Sequence, residues 1–178
     1  MKKVLYILGQ LTDRDVEWLV AAGQKRRLAP GTVLIREGEP TDAVYFVLGG
    51  DLAVTQGAGE GRPIGRLGVG EIVGEMSFVD ASPPSATVRA VEDSAVLRIP
   101  RDLLRERLKS DDGFAARFYH AIAIFLSDRL RSALVASGGP GARPGGGLES
   151  GELDPSVLDT MSLAGGRFQQ MLIRLGGT

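Results

Sequence analysis

Between residues 24 and 99 the sequence alternates short runs rich in β-branched and aromatic residues with glycine and proline. Such runs are typical of strands, and the punctuating residues are typical of the turns between them. The clearest strand candidates are 32–36, 43–48 and 51–55, and further strands are expected at 63–67, 87–91 and 95–99. This many short strands with regular turns predicts a barrel or a sandwich.

Two adjacent glycines separate the second and third of these runs. Val44, Phe46 and Leu48 share one face of the second run, which is the pattern of a strand with an apolar side. Gly49 and Gly50 then lie directly before the next run. A glycine pair between two strands favours a tight turn, so the sequence predicts a hairpin here.

Helical patterns flank the strand-rich region. Thr12, followed by Asp15, resembles a capping box, and it predicts a first helix that ends near Gly23. After the strands, residues 101–108 and 114–135 carry apolar residues at helical spacing. We therefore expect an N-terminal helix, a β domain and two further helices, the last of them long.

The long helix at 114–135 carries two apolar stripes rather than one. The first stripe is Phe114, Phe118, Ala121 and Phe125, and the second is Ile122, Leu126, Leu130 and Leu134. One stripe is enough to pack a helix on its own domain. The second suggests the same helix of another subunit, with Phe118, Ile122, Phe125 and Leu126 as candidate dimer contacts.

Residues 74–88 have the composition of a loop that holds a phosphate. Gly74 permits a turn that a Cβ atom would block, and Glu75 begins a short stretch long enough for one helical turn. Candidate ligand-binding residues are Gly74, Glu75, Met76, Ser77, Ser85, Ala86 and Thr87. No arginine or lysine lies between Glu75 and position 88.

This stretch resembles the phosphate-binding cassette of the cyclic-nucleotide-binding domain family. Residues 74–78 match the first half, Gly-Glu-Leu-Ala-Leu, and residues 85–88 match the end of the second half, Pro-Arg-Ala-Ala-Thr-Val. The resemblance implies a double-stranded β-helix, or jelly-roll, barrel, mainly β with flanking helices. It also implies that Glu75 holds the ribose 2′-hydroxyl of cyclic AMP or cyclic GMP. The arginine that pairs with the cyclic phosphate in that family falls on Pro84.

The resemblance also sets the expected domain boundaries. The cyclic-nucleotide-binding-like domain is expected at 1–136, with an N-terminal helix, the barrel at 24–99 and helices at 100–136. It is like the sensor barrel of the family's transcription regulators without their DNA-binding domain. Residues 138–178 hold three arginines, no lysine and four acids, which does not favour nucleic-acid binding.

A glycine- and proline-rich linker is expected at 137–151, followed by a short amphipathic tail at 152–178. Pro155 is expected to open a short helix, and Gly165 with Gly166 to interrupt it. The apolar tail residues that could dock on a partner are Met161, Phe168, Met171 and Leu172. A partner protein, a sister subunit, the chain's own pocket and simple packing on the barrel all remain open as docking places.

Composition narrows the function classes. The chain has no cysteine and one histidine, so thiolate metal sites, multi-histidine sites and most catalytic triads are excluded. The net charge of −1 creates no field for nucleic acid or anionic membrane, and no stretch approaches a membrane span. We expect a cytoplasmic protein with no catalytic residues and no metal.

Two functions remain. The first is a regulatory or adaptor protein, a homodimer whose nucleotide binding is weak, altered or lost because of Pro84. The second is a genuine cyclic AMP or cyclic GMP sensor that signals through its long helix.

Overall fold

The computed structural model describes residues 4–57, 61–136 and 155–176. Two helices open the chain, α1 (Val4–Gln10) and α2 (Asp13–Ala22). The capping box is present at the start of α2: the Thr12 N–H donates to the Asp15 carboxylate at 2.8 Å, and the Asp15 N–H donates to Thr12 Oγ1 at 3.3 Å. The sequence predicts α2 but not α1, which has only seven residues and no acidic residue in its first turn.

In the described part of the chain, eight strands form two four-stranded antiparallel sheets. The strands are β1 (Gln24–Leu28), β2 (Val33–Ile35), β3 (Ala43–Gly49), β4 (Leu52–Gln56), β5 (Arg62–Leu67), β6 (Ile72–Val73), β7 (Thr87–Ala90) and β8 (Ser94–Pro100). One sheet has the order β1-β8-β3-β6 and the other β2-β7-β4-β5. The predicted mainly β fold with flanking helices is confirmed.

Strand β3 is buried on both faces. Val44, Phe46 and Leu48 face a hydrophobic cluster that includes the helices. Tyr45 and Val47 face a second cluster that lies within the barrel. Strand β3 therefore contributes side chains both to the core that contacts the helices and to the core inside the barrel.

The predicted hairpin at Gly49 and Gly50 is wrong. Strand β3 pairs with β6 and β8, whereas β4 pairs with β5 and β7, so the glycines connect two different sheets. Gly50 has a φ of 83°, and a Cβ atom there would lie 2.2 Å from Ser94 Oγ. The glycines mark a turn, but the pairing of the strands depends on contacts that are distant in sequence.

Three helices follow or interrupt the strands: α3 (Glu75–Asp80), α4 (Arg101–Ser110) and α5 (Asp112–Ala136). The first apolar stripe of α5 is fully buried, as are two of the predicted dimer contacts, Phe118 and Phe125. Ile122 is also buried in the chain's own core, and Leu126 packs at its edge. Farther along, Leu130 and Leu134 are 62% and 54% exposed.

The tail forms one continuous helix, α6 (Pro155–Arg174), so the predicted interruption at Gly165 and Gly166 is wrong. The apolar side of α6 packs on α1 and α2. Met171 is buried, and Phe168 and Leu172 are half-buried in the same cluster. The side chain of Met161 and the predicted linker at 137–151 lie outside the described residues.

Two arginines hold α6 in place. Arg167 Nε lies 2.6 Å from Asp13 Oδ1, and its Nη1 donates to the Leu8 carbonyl at 3.1 Å. Arg174 Nη2 lies 2.7 Å from Glu17 Oε1. These contacts place the apolar tail residues against the chain's own N-terminal helices.

Candidate ligand-binding cavity

A cavity of about 490 Å³ opens between the barrel, the cassette at 74–88 and helix α5. Its apolar wall includes Ile35, Val54, Leu67, Val73 and Val88. Polar groups come from Glu71, Glu75, Ser77, Ser85, Arg66 and Arg129. The volume lies within the range of roughly 300–1,000 Å³ that is usual for small-molecule sites.

Gly74 makes the turn that leads into the cassette helix. Its φ is 85°, a conformation that disfavours every residue with a Cβ atom. A Cβ atom there would also lie 3.1 Å from the Ala43 carbonyl oxygen and 3.3 Å from Ile35 Cδ1. Glycine is therefore required at this position, and the short helix predicted after it is α3.

Glu75, the first residue of α3, lies at the base of the cavity with a side chain only 2% exposed. Its Oε1 lies 2.6 Å from Nη1 of Arg129, which comes from α5. The Arg129 guanidinium also lies over the Phe125 ring, 4.6 Å from its centroid. The carboxylate that would hold a ribose hydroxyl therefore already has a protein partner.

Burial raises the pKa of Glu75. The charge of Arg129 lowers the pKa, and the nearby carboxylate of Glu71 raises it again. The net direction is upward because removal of the carboxylate from water outweighs its ion pair. Additional negative charge in this part of the cavity is therefore unfavourable.

The second half of the cassette is fixed by hydrogen bonds to two of its backbone carbonyls. The Pro84 carbonyl accepts from the Gly38 N–H at 2.8 Å, and the Ser85 carbonyl accepts from Gln56 Nε2 at 3.2 Å. Pro84 lines the cavity but offers no N–H donor and no charge. The family's arginine position therefore contributes no cation here.

The structure brings six of the seven predicted ligand-binding residues to the cavity. These are Gly74, Glu75, Met76, Ser77, Ser85 and Ala86. Thr87 is not among the lining residues, and its Oγ1 instead accepts a hydrogen bond from the Glu37 N–H at 3.1 Å. Thr87 therefore joins the cassette to Glu37 instead of lining the cavity.

Arg89 does not replace the cassette arginine. It is exposed next to the buried Val88 on strand β7, and its Nη1 donates to the Gly31 carbonyl at 2.9 Å. Glu75 is instead contacted by Arg129, and no motif in the sequence identifies this arginine as a site residue. The only local signal is its spacing of four residues from Phe125, which places the two on one helix face.

The cassette helix α3 also contacts the helices behind it. Arg101 of α4 donates to the carbonyls of Thr41, at 2.9 Å, and of Ser77. The Phe78 ring packs edge-to-face against Phe118 of α5, with 6.2 Å between the ring centroids. Helix α3 therefore contacts both α4 and α5.

Among the described residues, no helix has both the length and the hydropathy needed to cross a bilayer. No group of three or more histidine, cysteine, aspartate or glutamate side chains in those residues is arranged to hold a metal ion.

Solved structures of other proteins share this fold. A cyclic nucleotide-binding domain of Methylobacillus flagellatus superposes with a TM-score of 0.66 at 24% identity, covering 74% of this chain and 79% of that one. The N-terminal domain of a transcriptional regulator from Streptomyces coelicolor gives a TM-score of 0.59 at 27% identity, covering 74% of this chain and 95% of that one.

One curated relative is lysophospholipase nte1 of Aspergillus oryzae, 31% identical over 136 residues. The match covers 75% of this chain but spans only 8% of the length of that relative. Residues 25–111, which contain the barrel, the cassette and α4, match the family model of the cyclic nucleotide-binding domain. Residues 25–111 therefore belong to the cyclic nucleotide-binding domain family.

Proposed function

We propose that this chain is a non-enzymatic regulatory or adaptor module whose fold binds cyclic nucleotides weakly and acts through protein interaction. The observation that carries the proposal is the ion pair between Glu75 and Arg129. A ribose hydroxyl that binds Glu75 competes with this pair. Separation of a buried ion pair leaves a charge without a partner, which is costly.

The cassette adds a second obstacle to cyclic nucleotides. Pro84 stands where the family has an arginine, and a hydrogen bond to a charged group contributes about 1.5–3 kcal/mol. Its loss corresponds to roughly ten- to hundredfold in affinity. A cyclic nucleotide must therefore compete with Arg129 for its ribose partner Glu75, and its phosphate has no arginine in the cassette to pair with.

The contacts of the cavity's acids support a binding role rather than a catalytic one. Glu71 accepts a hydrogen bond from the Gly68 N–H at 2.6 Å, and Glu75 pairs with Arg129. A general acid or base must exchange protons with a substrate, whereas these two carboxylates are engaged with the protein.

A ligand-gated sensor is the second candidate. The contacts between Phe78 and Phe118, and between Glu75 and Arg129, favour it because both join the cassette helix to α5. A ligand that displaces Arg129 would release the second half of α5 and shift the population of its positions.

Isothermal titration calorimetry with cyclic AMP and cyclic GMP tests the weak binding. We expect dissociation constants above about 100 μM for the unaltered protein, and ten- to hundredfold tighter binding for Pro84→Arg. Pro83→Arg is the matched control, because it adds the same charge one residue away at an exposed position. Micromolar binding by the unaltered protein would overturn the proposal.

Helix α5 also offers a surface to a second copy of the chain. Phe118, Ile122 and Phe125 are committed to the intramolecular core, so the dimer contact consists of Leu126, Leu130 and Leu134. These leucines recur every fourth residue and therefore form one stripe along the helix. The tail is a weaker candidate for partner binding, because the apolar side of α6 faces α1 and α2.

We expect Leu130→Glu to raise the dimer dissociation constant at least about tenfold, because a charge replaces an apolar contact at the centre of the stripe. Light scattering over a concentration series measures the change. Leu163→Glu is the control, since Leu163 is comparably exposed but lies on α6. A monomeric parent protein at high concentration would rule out the dimer.

A further inference from the structure

The two arginines that line the described part of the cavity both have acidic partners. Arg129 pairs with Glu75, and Arg66, which is mostly exposed, pairs with Asp51. A phosphate in the cavity would have to take Arg129 away from a buried carboxylate. The cavity therefore has no uncommitted cation among these residues.

The base of the cavity is rich in acceptors. Glu71 and Glu75 are both buried, and carboxylate oxygens accept hydrogen bonds from hydroxyl groups. A hydroxyl-bearing ligand brings donors to these oxygens without additional charge. Such a ligand competes with Arg129 for Glu75, as a cyclic nucleotide does, but it brings no anion that would need a cation of its own.

A ribonucleoside is a cyclic nucleotide without its phosphate. It keeps the ribose hydroxyls for the carboxylates and the flat base for the apolar wall of Ile35, Val54, Leu67, Val73 and Val88. The group that it lacks is the phosphate, and both arginines that line the described part of the cavity already pair with acidic residues. We infer that the cavity binds an uncharged ligand of the ribonucleoside class in preference to a cyclic nucleotide. This inference rests on the proposed function because it concerns the same cavity.

Calorimetry with four probes tests the inference on the full chain: adenosine, guanosine, cyclic AMP and cyclic GMP. We expect at least one nucleoside to bind with a dissociation constant at least about tenfold lower than that of its cyclic nucleotide. If no probe binds, the inference is overturned while weak cyclic-nucleotide binding stands. If a cyclic nucleotide binds with micromolar affinity and more tightly than its nucleoside, both are overturned.

A second comparison locates the contact. The preferred nucleoside should bind at least about tenfold more tightly than its 2′-deoxy form, because the deoxy form lacks a hydroxyl for Glu75. Glu75→Gln should remove this difference between the two ligands. Equal binding of both forms by the unaltered protein would show that the hydroxyl contact is wrong.

The charge-matched variants Pro84→Arg and Pro83→Arg test the role of the missing cation. Only Pro84→Arg should shift the binding preference from the nucleoside toward the cyclic nucleotide. The absence of this shift would contradict the role assigned to the missing cation.

Discussion

Replacement of Phe118 by alanine is expected to lower the free energy of unfolding by about 3–5 kcal/mol. The Phe118 ring is completely buried, stacks on Phe114 at 5.7 Å between centroids and packs edge-to-face on Phe78. Alanine would leave a cavity where the cassette helix meets α5, and the surrounding core can close it only in part. Urea unfolding at equilibrium measures the loss.

Tyr119→Ala provides the matched control. It removes an aromatic ring from the adjacent residue of the same helix, but Tyr119 is 47% exposed, so we expect a loss below about 1 kcal/mol. The loss caused by Phe118→Ala should also be independent of protein concentration, because its contacts are intramolecular. Equal losses for the two variants, or a loss that grows with dilution, would contradict this placement of α5.

Two features of the site can be read from the sequence because their causes are local. Gly74 has a positive φ that glycine adopts at low cost, and a short helix follows immediately. The burial of Phe114 and Phe118 likewise follows from helical spacing within one segment. In both cases the residues that decide the structure are neighbours in the chain.

The partner of Glu75 cannot be read in the same way. Arg129 lies 54 residues later in the chain, and nothing near it in the sequence marks a pairing with the cassette. The contact depends on tertiary packing, which brings Arg129 and Ala133 of α5 to the cavity that Glu75 lines. The same reason explains the hairpin wrongly predicted at Gly50, since strand pairing is also non-local.

Helix α6 shows how packing outweighs local propensity. Gly165 and Gly166 each cost a helix about 1 kcal/mol relative to alanine, so the sequence predicts a break. On either side of them, however, Ala164 and Met171 are buried against the N-terminal helices. Arg167 adds an ion pair with Asp13, and together these contacts hold the helix continuous.

Helix α5 has two parts that make different contacts. The first part, with Phe118, is bound firmly to the core and to the cassette helix. The second part is attached to the cavity through Arg129 and exposes Leu130 to solvent. The arginine that pairs with Glu75 and the proposed dimer surface therefore lie in the same part of the helix.

Arg117→Ala is expected to lower the free energy of unfolding by about 2–4 kcal/mol at pH 7, less than for a fully buried pair because Arg117 is about one-third exposed. Arg117 Nε and Nη2 lie 2.7 and 3.0 Å from the carboxylate oxygens of Asp15, whose side chain is 1% exposed. Without Arg117 this buried carboxylate would keep its charge with no cationic partner. The pair joins α2 to α5, so its loss weakens the attachment of the long helix.

The pH dependence separates this charge effect from lost packing. Burial alone would raise the pKa of Asp15, but the hydrogen bonds from Arg117 and Thr12 together outweigh burial, and the pKa is lowered. Because the folded-state pKa lies below the unfolded value, the ionised carboxylate stabilises the fold above about pH 3.8, and this contribution is lost as the pH falls through the folded-state pKa. The difference between the parent and Arg117→Ala should therefore be largest near pH 7 and shrink below pH 3.8. Urea unfolding across this range measures it, with Arg131→Ala on the exposed face of α5 as the control. A difference that stays constant with pH would show that Arg117 stabilises the fold by packing rather than by charge.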